Sequence, residues 1–286
     1  MPEVQTLMSG LVIGESPRWR DGRLWFSHWG AQQIVAVDLD GNSEVVTRAP
    51  TNIGFSIDWL PDGRLLVSGR EGLLVCSEHD GLFSIYADLR SLSPHGWNEI
   101  VVDGRGNVYV NSVNFDFMGF LEGRAQFAPG IIALVTPDGS VRQVADGIAF
   151  PNGMAVTPDN STLIIAESFT SDLTAFDIGA DGDLSNRRVW ADLGEGGGDG
   201  DGICMDAEGA VWTPVRDNAC SRVSEGGEVL QRIELDRSCF ACMLGGPDGR
   251  MLFMMAARWR PENPTGEPRT GQVLTVRAPA PGVGWP

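Results

Sequence analysis

Six segments of this chain share one pattern: a polar turn carrying glycine, aspartate or asparagine, an apolar strand, a gap, and a second apolar strand. The turns and first strands read Asp21-Gly22-Arg23 into Leu24-Trp25-Phe26-Ser27, Asp62-Gly63-Arg64 into Leu65-Leu66-Val67-Ser68, and Gly106-Asn107 into Val108-Tyr109-Val110-Asn111. They continue as Asn160-Ser161-Thr162 into Leu163-Ile164-Ile165-Ala166, Glu208-Gly209-Ala210 into Val211-Trp212-Thr213-Pro214, and Asp248-Gly249-Arg250 into Met251-Leu252-Phe253-Met254. The anchors Leu24, Leu65, Val108, Leu163, Val211 and Met251 lie 41, 43, 55, 48 and 40 residues apart. Second strands line up behind them at 34–37, 72–75, 131–135, 173–176, 220–223 and 272–276, and a third often follows, as in Glu44-Val45-Val46. A period of about 40–50 residues with short strands is the signature of a propeller blade. Runs that are apolar on both faces suit strands buried between neighbouring blades. No amphipathic helix of ordinary length separates them, which disfavours a parallel α/β fold. The expected fold is all-β: one six-bladed β-propeller with four-stranded antiparallel blades, a single domain over residues 1–286. The strand-like piece Val4-Gln5-Thr6-Leu7 is expected to pair into the final blade, which would remove two open edges together.

Composition narrows the function classes. A net charge of −17 argues against nucleic-acid binding, which needs a basic face to neutralise phosphates. All 21 basic residues are arginine, so mechanisms that need a Schiff-base lysine are excluded. No run of about 20 apolar residues exists to cross a membrane as a helix. The start, Met1-Pro2-Glu3-Val4-Gln5, lacks the basic residue and apolar stretch of a secretory signal, and the expected location is cytoplasmic. Cys76, Cys204, Cys220, Cys239 and Cys242 follow no framework spacing and are read as reduced structural thiols, the lone C-x-x-C at 239–242 included.

In a propeller the channel-lining strand of each blade begins at the mouth where ligands bind. The positions 9 to 11 residues before each anchor are Glu15, Ser56, Asn98, Asn152 and Asp201, with the sixth inside Phe240-Ala241-Cys242. Two carboxylates and two carboxamides converging on one ring form an oxygen-rich set that suits a hard divalent cation. Each alone has an ordinary explanation as a turn or loop-capping residue. The run Gly196-Gly197-Gly198-Asp199-Gly200-Asp201-Gly202 lacks the glutamate of an EF-hand and is read as a loop delivering Asp201. His28, His79 and His95 are not spaced as a zinc pair, and His28 and His95 are read as rim residues. A G-x-S-x-G elbow and a nucleotide-binding glycine loop are both missing.

The chain resembles the senescence marker protein / gluconolactonase / luciferin-regenerating enzyme family, the regucalcin-like proteins, along nearly its whole length. The residues that carry the resemblance are Gly14-Glu15-Ser16-Pro17 with Trp19, Asn98-Glu99-Ile100-Val101-Val102-Asp103, and Pro151-Asn152-Gly153-Met154-Ala155-Val156. Asp201-Gly202-Ile203-Cys204-Met205-Asp206 and the closing Gly282-Val283-Gly284-Trp285-Pro286 complete it. It implies a six-bladed propeller with one divalent cation in the channel, Ca²⁺ first, with Zn²⁺, Mg²⁺ or Mn²⁺ as alternatives, and lactonase activity. It places the metal ligands on Glu15, Asn152 and Asp201, makes Asn98 a further ligand or substrate contact, and gives Asp201 the general-base role. Glu99 then stands beside the substrate. One departure is Gly96, where the animal members carry arginine, and another is Asn98-Glu99 in place of an Asn-Asp pair.

The resulting expectation is a metal-dependent hydrolase of a sugar or related lactone, acting on a small molecule, with no nucleic acid, no membrane and no identified oligomeric partner. Alternatives are an organophosphate triester hydrolase on the same site, a non-catalytic cation-binding propeller, and a strictosidine-synthase-like enzyme. Should Asp201 be only a ligand, Glu99 and Asp103 are the next bases. The long segments 111–129, with Phe115, Phe117, Phe120 and Phe127, and 258–268, with Arg258 and Trp259, are expected to line or cover the mouth.

Overall fold

The structure, a computed structural model, describes residues 3–51, 54–77, 81–194, 200–258, 260 and 268–286. Six antiparallel sheets follow one another round a central channel as the blades of a propeller. Blade 1 shows the plan: Gly14–Arg20 lies innermost, and Arg23–His28, Gln33–Val37 and Ser43–Arg48 step outward. The other inner strands are Ile57–Trp59, Ile100–Val102, Pro151–Val156, Cys204–Asp206 and Ser238–Gly245. The anchors of the sequence repeat therefore mark the second strand of each blade, not the first. The inner strands escape the pattern for a physical reason. Three of them have only three residues, and the others are broken by bulges between Glu15 and Arg18, Pro151 and Met154, and Cys239 and Ala241. A bulge puts two residues opposite one and re-aims a side chain, so period-2 alternation is lost where the channel is lined.

Burial follows position in the blade. Second-strand residues such as Leu24, Leu66, Val108, Leu163, Val211 and Phe253 are fully enclosed between neighbouring blades. The outermost strands expose Val45, Ile85, Val189 and Val229. Ring closure comes from Gln5–Leu11, which adds as the fourth strand of the last blade, with Gln5 opposite Thr275 and Leu11 opposite Gly271. Gly282–Val283 adds a fifth strand beside Cys204–Asp206, so the chain's last residues join the fifth blade. Among the described residues no helix is long and apolar enough to cross a membrane.

Every inner strand starts at the same end of the channel and every second strand returns to it. That end, the mouth, gathers the residues before each inner strand and the loops after each second strand. Removing residues 1–11 would expose the Gly271–Arg277 edge. The expected result is a melting temperature lower by on the order of 10 °C, with faster amide exchange at Val273 and Thr275. Calorimetry and hydrogen exchange check it.

Candidate metal centre at the channel mouth

Glu15 sits at the start of the first inner strand, 3% exposed, with its backbone carbonyl accepting from Ser27 Oγ at 2.9 Å. Ser16 follows in the left-handed region (φ 50°), a conformation that a bulge demands and a serine rarely adopts. Its hydroxyl is held by the next blade: Ile57 N donates to Ser16 Oγ at 3.0 Å, and Ser16 Oγ donates to Ile57 O at 3.3 Å. This lock fixes the direction in which the Glu15 side chain leaves the strand.

Similar bonds join successive blades. Ser68 Oγ donates to Asn98 O at 2.8 Å, Asn111 Nδ2 to Asn152 O at 2.7 Å, and Ser168 Oγ to Gly200 O at 2.7 Å. Gly202 N donates to Phe240 O at 2.9 Å, and Cys242 N to Gly202 O at 3.1 Å. Asn98 and Asn152 are each tied through nitrogen, Asn98 Nδ2 donating to Pro151 O at 3.2 Å and Asn152 Nδ2 to Ser168 Oγ at 3.1 Å. Neither Oδ1 takes part in those bonds, so each carboxamide can offer its oxygen to a cation. Gly153 explains how Asn152 and Asp201 come together. A Cβ there would collide with Asp201 O and Ile203 N, so only glycine lets the two blades approach this closely.

Electrostatics identify the carboxylates as a group. Burial pushes the Glu15 carboxyl well above its ordinary range, and the nearby charges of Asp201 and then Glu99 push it further. Among the described residues, none of the groups that act on Glu15 is a cation. Glu99 lies 5% exposed in the channel, its carboxyl raised by burial and drawn back by Arg18 and the Ser56 hydroxyl beside it. Arg18 is enclosed too, with Nη2 donating to Ile100 O at 2.7 Å, Nη2 within 4.0 Å of Glu99 and Nε within 3.7 Å of Asp58. The channel thus holds a compensated stretch, Glu99–Arg18–Asp58, beneath Glu15 and its acidic neighbour Asp201. No cluster of three or more histidine, cysteine, aspartate and glutamate side chains in a metal-holding arrangement occurs among the described residues. A cation here would depend on the two carboxylates together with carboxamide oxygens, a mixture that Ca²⁺ accepts.

Other expected residues fall into place or out of it. Phe115 is buried (5% exposed) beneath the mouth loop and touches Phe117, Phe120, Phe127, Phe150 and Phe169. Arg258 follows a second strand and so lies at the mouth, exposed, with Asp236 3.8 Å from its Nη2. Trp259, His79 and residues 195–199 lie outside the described residues. Asp103 is at the wrong end to be a base. It caps the turn at the back of the third blade, accepting from Arg105 N and Asn107 N at 2.8 Å each. It also lines a cavity of about 390 Å³ at the back opening, with Arg18, Trp19, Asp58, Trp59 and Trp285. His28 is buried, not a rim group. Its Nε2 accepts from Val12 N at 2.9 Å. Burial, then the charge of Arg269, lowers its pKa to about 4.

Sequence reasoning missed Arg18, the latch residues Ser16, Ser68, Asn111 and Ser168, and the Cys239 thiol just before the sixth ring position. Cys239 is pushed up by its bond to Cys220, by burial, and by the charges of Asp201 and Glu15. It belongs to one core with Cys204, Cys220 and Cys242, and all the cysteines are free thiols.

Residues 13–258 match the family model described as SMP-30/Gluconolactonase/LRE-like region. The chain belongs to this family. Within and around this gluconolactonase family, a pentonolactonase of Haloferax volcanii is 26% identical over 266 residues, covering 89% of this chain and 85% of its own length. The diisopropyl-fluorophosphatase of Loligo vulgaris is 31% identical over 189 residues, 59% of each chain. The solved luciferin-regenerating enzyme superposes with a TM-score of 0.84 over 99% of this chain and 98% of its own, at 18% identity, a likeness of fold.

Two outcomes follow. Gly153→Ala should lower stability by about 1–3 kcal/mol in urea unfolding, because backbone atoms of the next blade cannot yield to the new methyl. His28 stays neutral in the fold to about pH 4 while an unfolded histidine takes its proton near 6.5. The unfolded state therefore binds more protons between those values, and stability falls as pH drops from 6.5 towards 4. His28→Gln should flatten that part of the stability–pH curve relative to the parent protein.

Proposed function

We propose that this propeller is a lactonase that hydrolyses its ester with the help of one divalent cation at the channel mouth. The observation that carries the reading is the buried Glu15, with the half-buried Asp201 and the buried Glu99 beside it and no cation among the described groups that act on it. Buried like charges are costly unless a positive charge joins them. Glu15, Asn152 and Asp201 would hold the ion, with Asn98 beside them as a further oxygen donor or a contact to substrate. Ca²⁺ suits this donor set best, and Mg²⁺, Mn²⁺ and Zn²⁺ are the competitors. When bound, the cation supplies Lewis-acid polarisation of an ester carbonyl and offsets negative charge developing on its oxygen.

The protein's own groups carry the proton. A carboxylate oxygen of Asp201 takes a proton from water as the water oxygen bonds to the lactone carbonyl carbon. The ring C–O bond then breaks, and the same proton passes from Asp201 to the departing alkoxide oxygen. Glu15, enclosed in the strand bulge, holds charge for the ion and transfers no proton. Asn152, fixed through Nδ2 to Ser168, keeps its oxygen aimed in one direction.

A second reading, phosphotriester hydrolysis, is favoured by the likeness to the Loligo vulgaris fluorophosphatase. Both reactions develop negative charge on an oxygen beside the same acids, so substrate preference separates them. A panel of γ- and δ-lactones and phosphotriesters, run on chelator-treated protein with each cation restored, should show lactone turnover that returns with Ca²⁺. Asp201→Asn should lower lactone turnover by at least about 10²-fold at saturating cation, because its amide cannot accept the proton. Glu15→Gln should chiefly weaken cation affinity, and excess cation should restore part of its rate. Near-parental turnover by Asp201→Asn at saturating cation would remove Asp201 from the base role.

A further inference from the structure

Beside the acidic mouth lies an aromatic cluster that the hydrolytic chemistry does not use. Phe115 is its hub, with ring centroids 6.4 Å from Phe117, 5.5 Å from Phe120, 5.7 Å from Phe127, 5.9 Å from Phe150 and 6.3 Å from Phe169. Phe150 and Phe169 approach each other to 4.7 Å. Four of these rings come from the mouth loop 113–129, which includes the short helix Phe117–Leu121, capped by Asp116 accepting from Gly119 N at 2.9 Å. The other two come from the site itself. Phe150 stands two residues before Asn152, and Phe169 directly follows Ser168, the residue that holds Asn152. The backbone binds this pair together, Ser168 N donating to Phe150 O at 3.0 Å and Phe169 N to Ala149 O at 3.1 Å.

A satellite core beneath a long loop would account for Phe115 alone. Two observations go beyond that. Phe127 and Phe169 remain 42% and 44% exposed, so the cluster presents a face to solvent instead of sealing itself. Phe150 has φ 63°, a left-handed conformation in which a bulky aromatic residue is an outlier, immediately before the Pro151–Val156 strand that carries Asn152. Strain of this kind persists where the surroundings hold it, and it collects at ligand sites.

We propose that these rings form the apolar wall of the substrate site and select lactones whose ring carries an aryl or alkyl substituent over polyhydroxylated sugar lactones. This rests on the lactonase reading given above and names the substrate class for that site. The exposed faces of Phe169 and Phe127 receive the substituent, Phe150 sets the angle of the wall against Asn152, and Phe115 supports them from below. Polyhydroxylated rings would leave hydroxyls against these faces without hydrogen-bond partners, which disfavours them.

The test compares kcat/KM for a phenyl-substituted δ-lactone and for glucono-δ-lactone in the calcium-loaded protein, in Phe169→Ser and in Phe127→Ser. Both substituted rings are partly exposed, so the fold should persist. The expected ratio favours the phenyl lactone by at least about tenfold in the parent protein and falls by about that factor in Phe169→Ser, mainly through KM. A ratio near or below one, or a ratio that neither variant changes, would overturn the wall. Calorimetric binding of a phenyl-substituted δ-lactam, which resists hydrolysis, against unsubstituted 2-piperidinone separates this inference from the reading it rests on. Tighter binding of the phenyl compound that weakens in Phe169→Ser, without turnover of any lactone, upholds the wall and overturns the lactonase reading. Turnover of glucono-δ-lactone with equal binding of the two lactams does the reverse.

Discussion

The mouth of this propeller is held by short polar side chains that reach from one blade to the next. Ser16 grips Ile57, Ser68 grips Asn98, Asn111 grips Asn152 and Ser168 grips Gly200, each through main-chain atoms at or near the start of the neighbouring inner strand. The fifth junction uses backbone alone, between Gly202 and the Phe240 and Cys242 peptides. At the sixth, Trp19 of the first blade stacks on Phe253 of the last with centroids 5.3 Å apart. Apolar contact between blades is non-directional and would tolerate sliding. Hydrogen bonds to named carbonyls are not tolerant, and a lost one leaves a buried group unpaired. The latches therefore turn six packed sheets into a ring of fixed register, and every candidate ligand hangs from that ring.

Charge in the channel is arranged in two layers that differ in kind. Arg18 lies between Glu99 and Asp58, so the deeper layer is compensated within the protein. The upper layer, Glu15 with Asp201, has no such partner acting on Glu15, and burial already disfavours its ionised form. Arg18 also lines the cavity at the back opening. The back cavity with Trp19, Trp59 and Trp285 meets a guanidinium and Asp58, while Glu15 towards the mouth has the acids Asp201 and Glu99 beside it. A divalent ion at the mouth would complete an electrostatic pattern that the deeper layer completes with arginine.

Much of this was legible in the residues. The repeat gave blade number because second strands are continuous, apolar and preceded by a polar turn carrying glycine, aspartate or asparagine. It placed Glu15, Asn98, Asn152 and Asp201 at equivalent points because blades are built on a common count of residues from turn to mouth. The inner strands themselves were hidden, being short or bulged, and so they carry no alternation to read. The latches had a trace: the fourth residue of the first three anchor strands is Ser27, Ser68 or Asn111, polar where the rest of the strand is apolar. Two of these three cross to the next blade, while Ser27 bonds within its own. Nothing local marks Arg18 as a channel cation, since its role depends on Glu99 and Asp58, which come from other blades.

The same geometry separates the candidate ion ligands from the proposed substrate wall. Ligand atoms come from positions locked at inner-strand starts, where a shift would break a latch and disturb two blades at once. The 113–129 loop after the third blade's second strand carries none of these latches and can lengthen without altering register. The 55-residue interval between Val108 and Leu163 is the longest in the repeat, and the extra length lies in the loop that brings Phe115, Phe117, Phe120 and Phe127 to the mouth. An insertion there adds contact surface beside Asn152 while leaving the positions of Glu15 and Asp201 to the ring. The candidate ligands and the proposed wall thus occupy different parts of the blades. For that reason the residue positions of the centre could be read by counting from the turns, whereas the wall beside it required the three-dimensional meeting of Phe150 and Phe169 with a loop far from them in sequence.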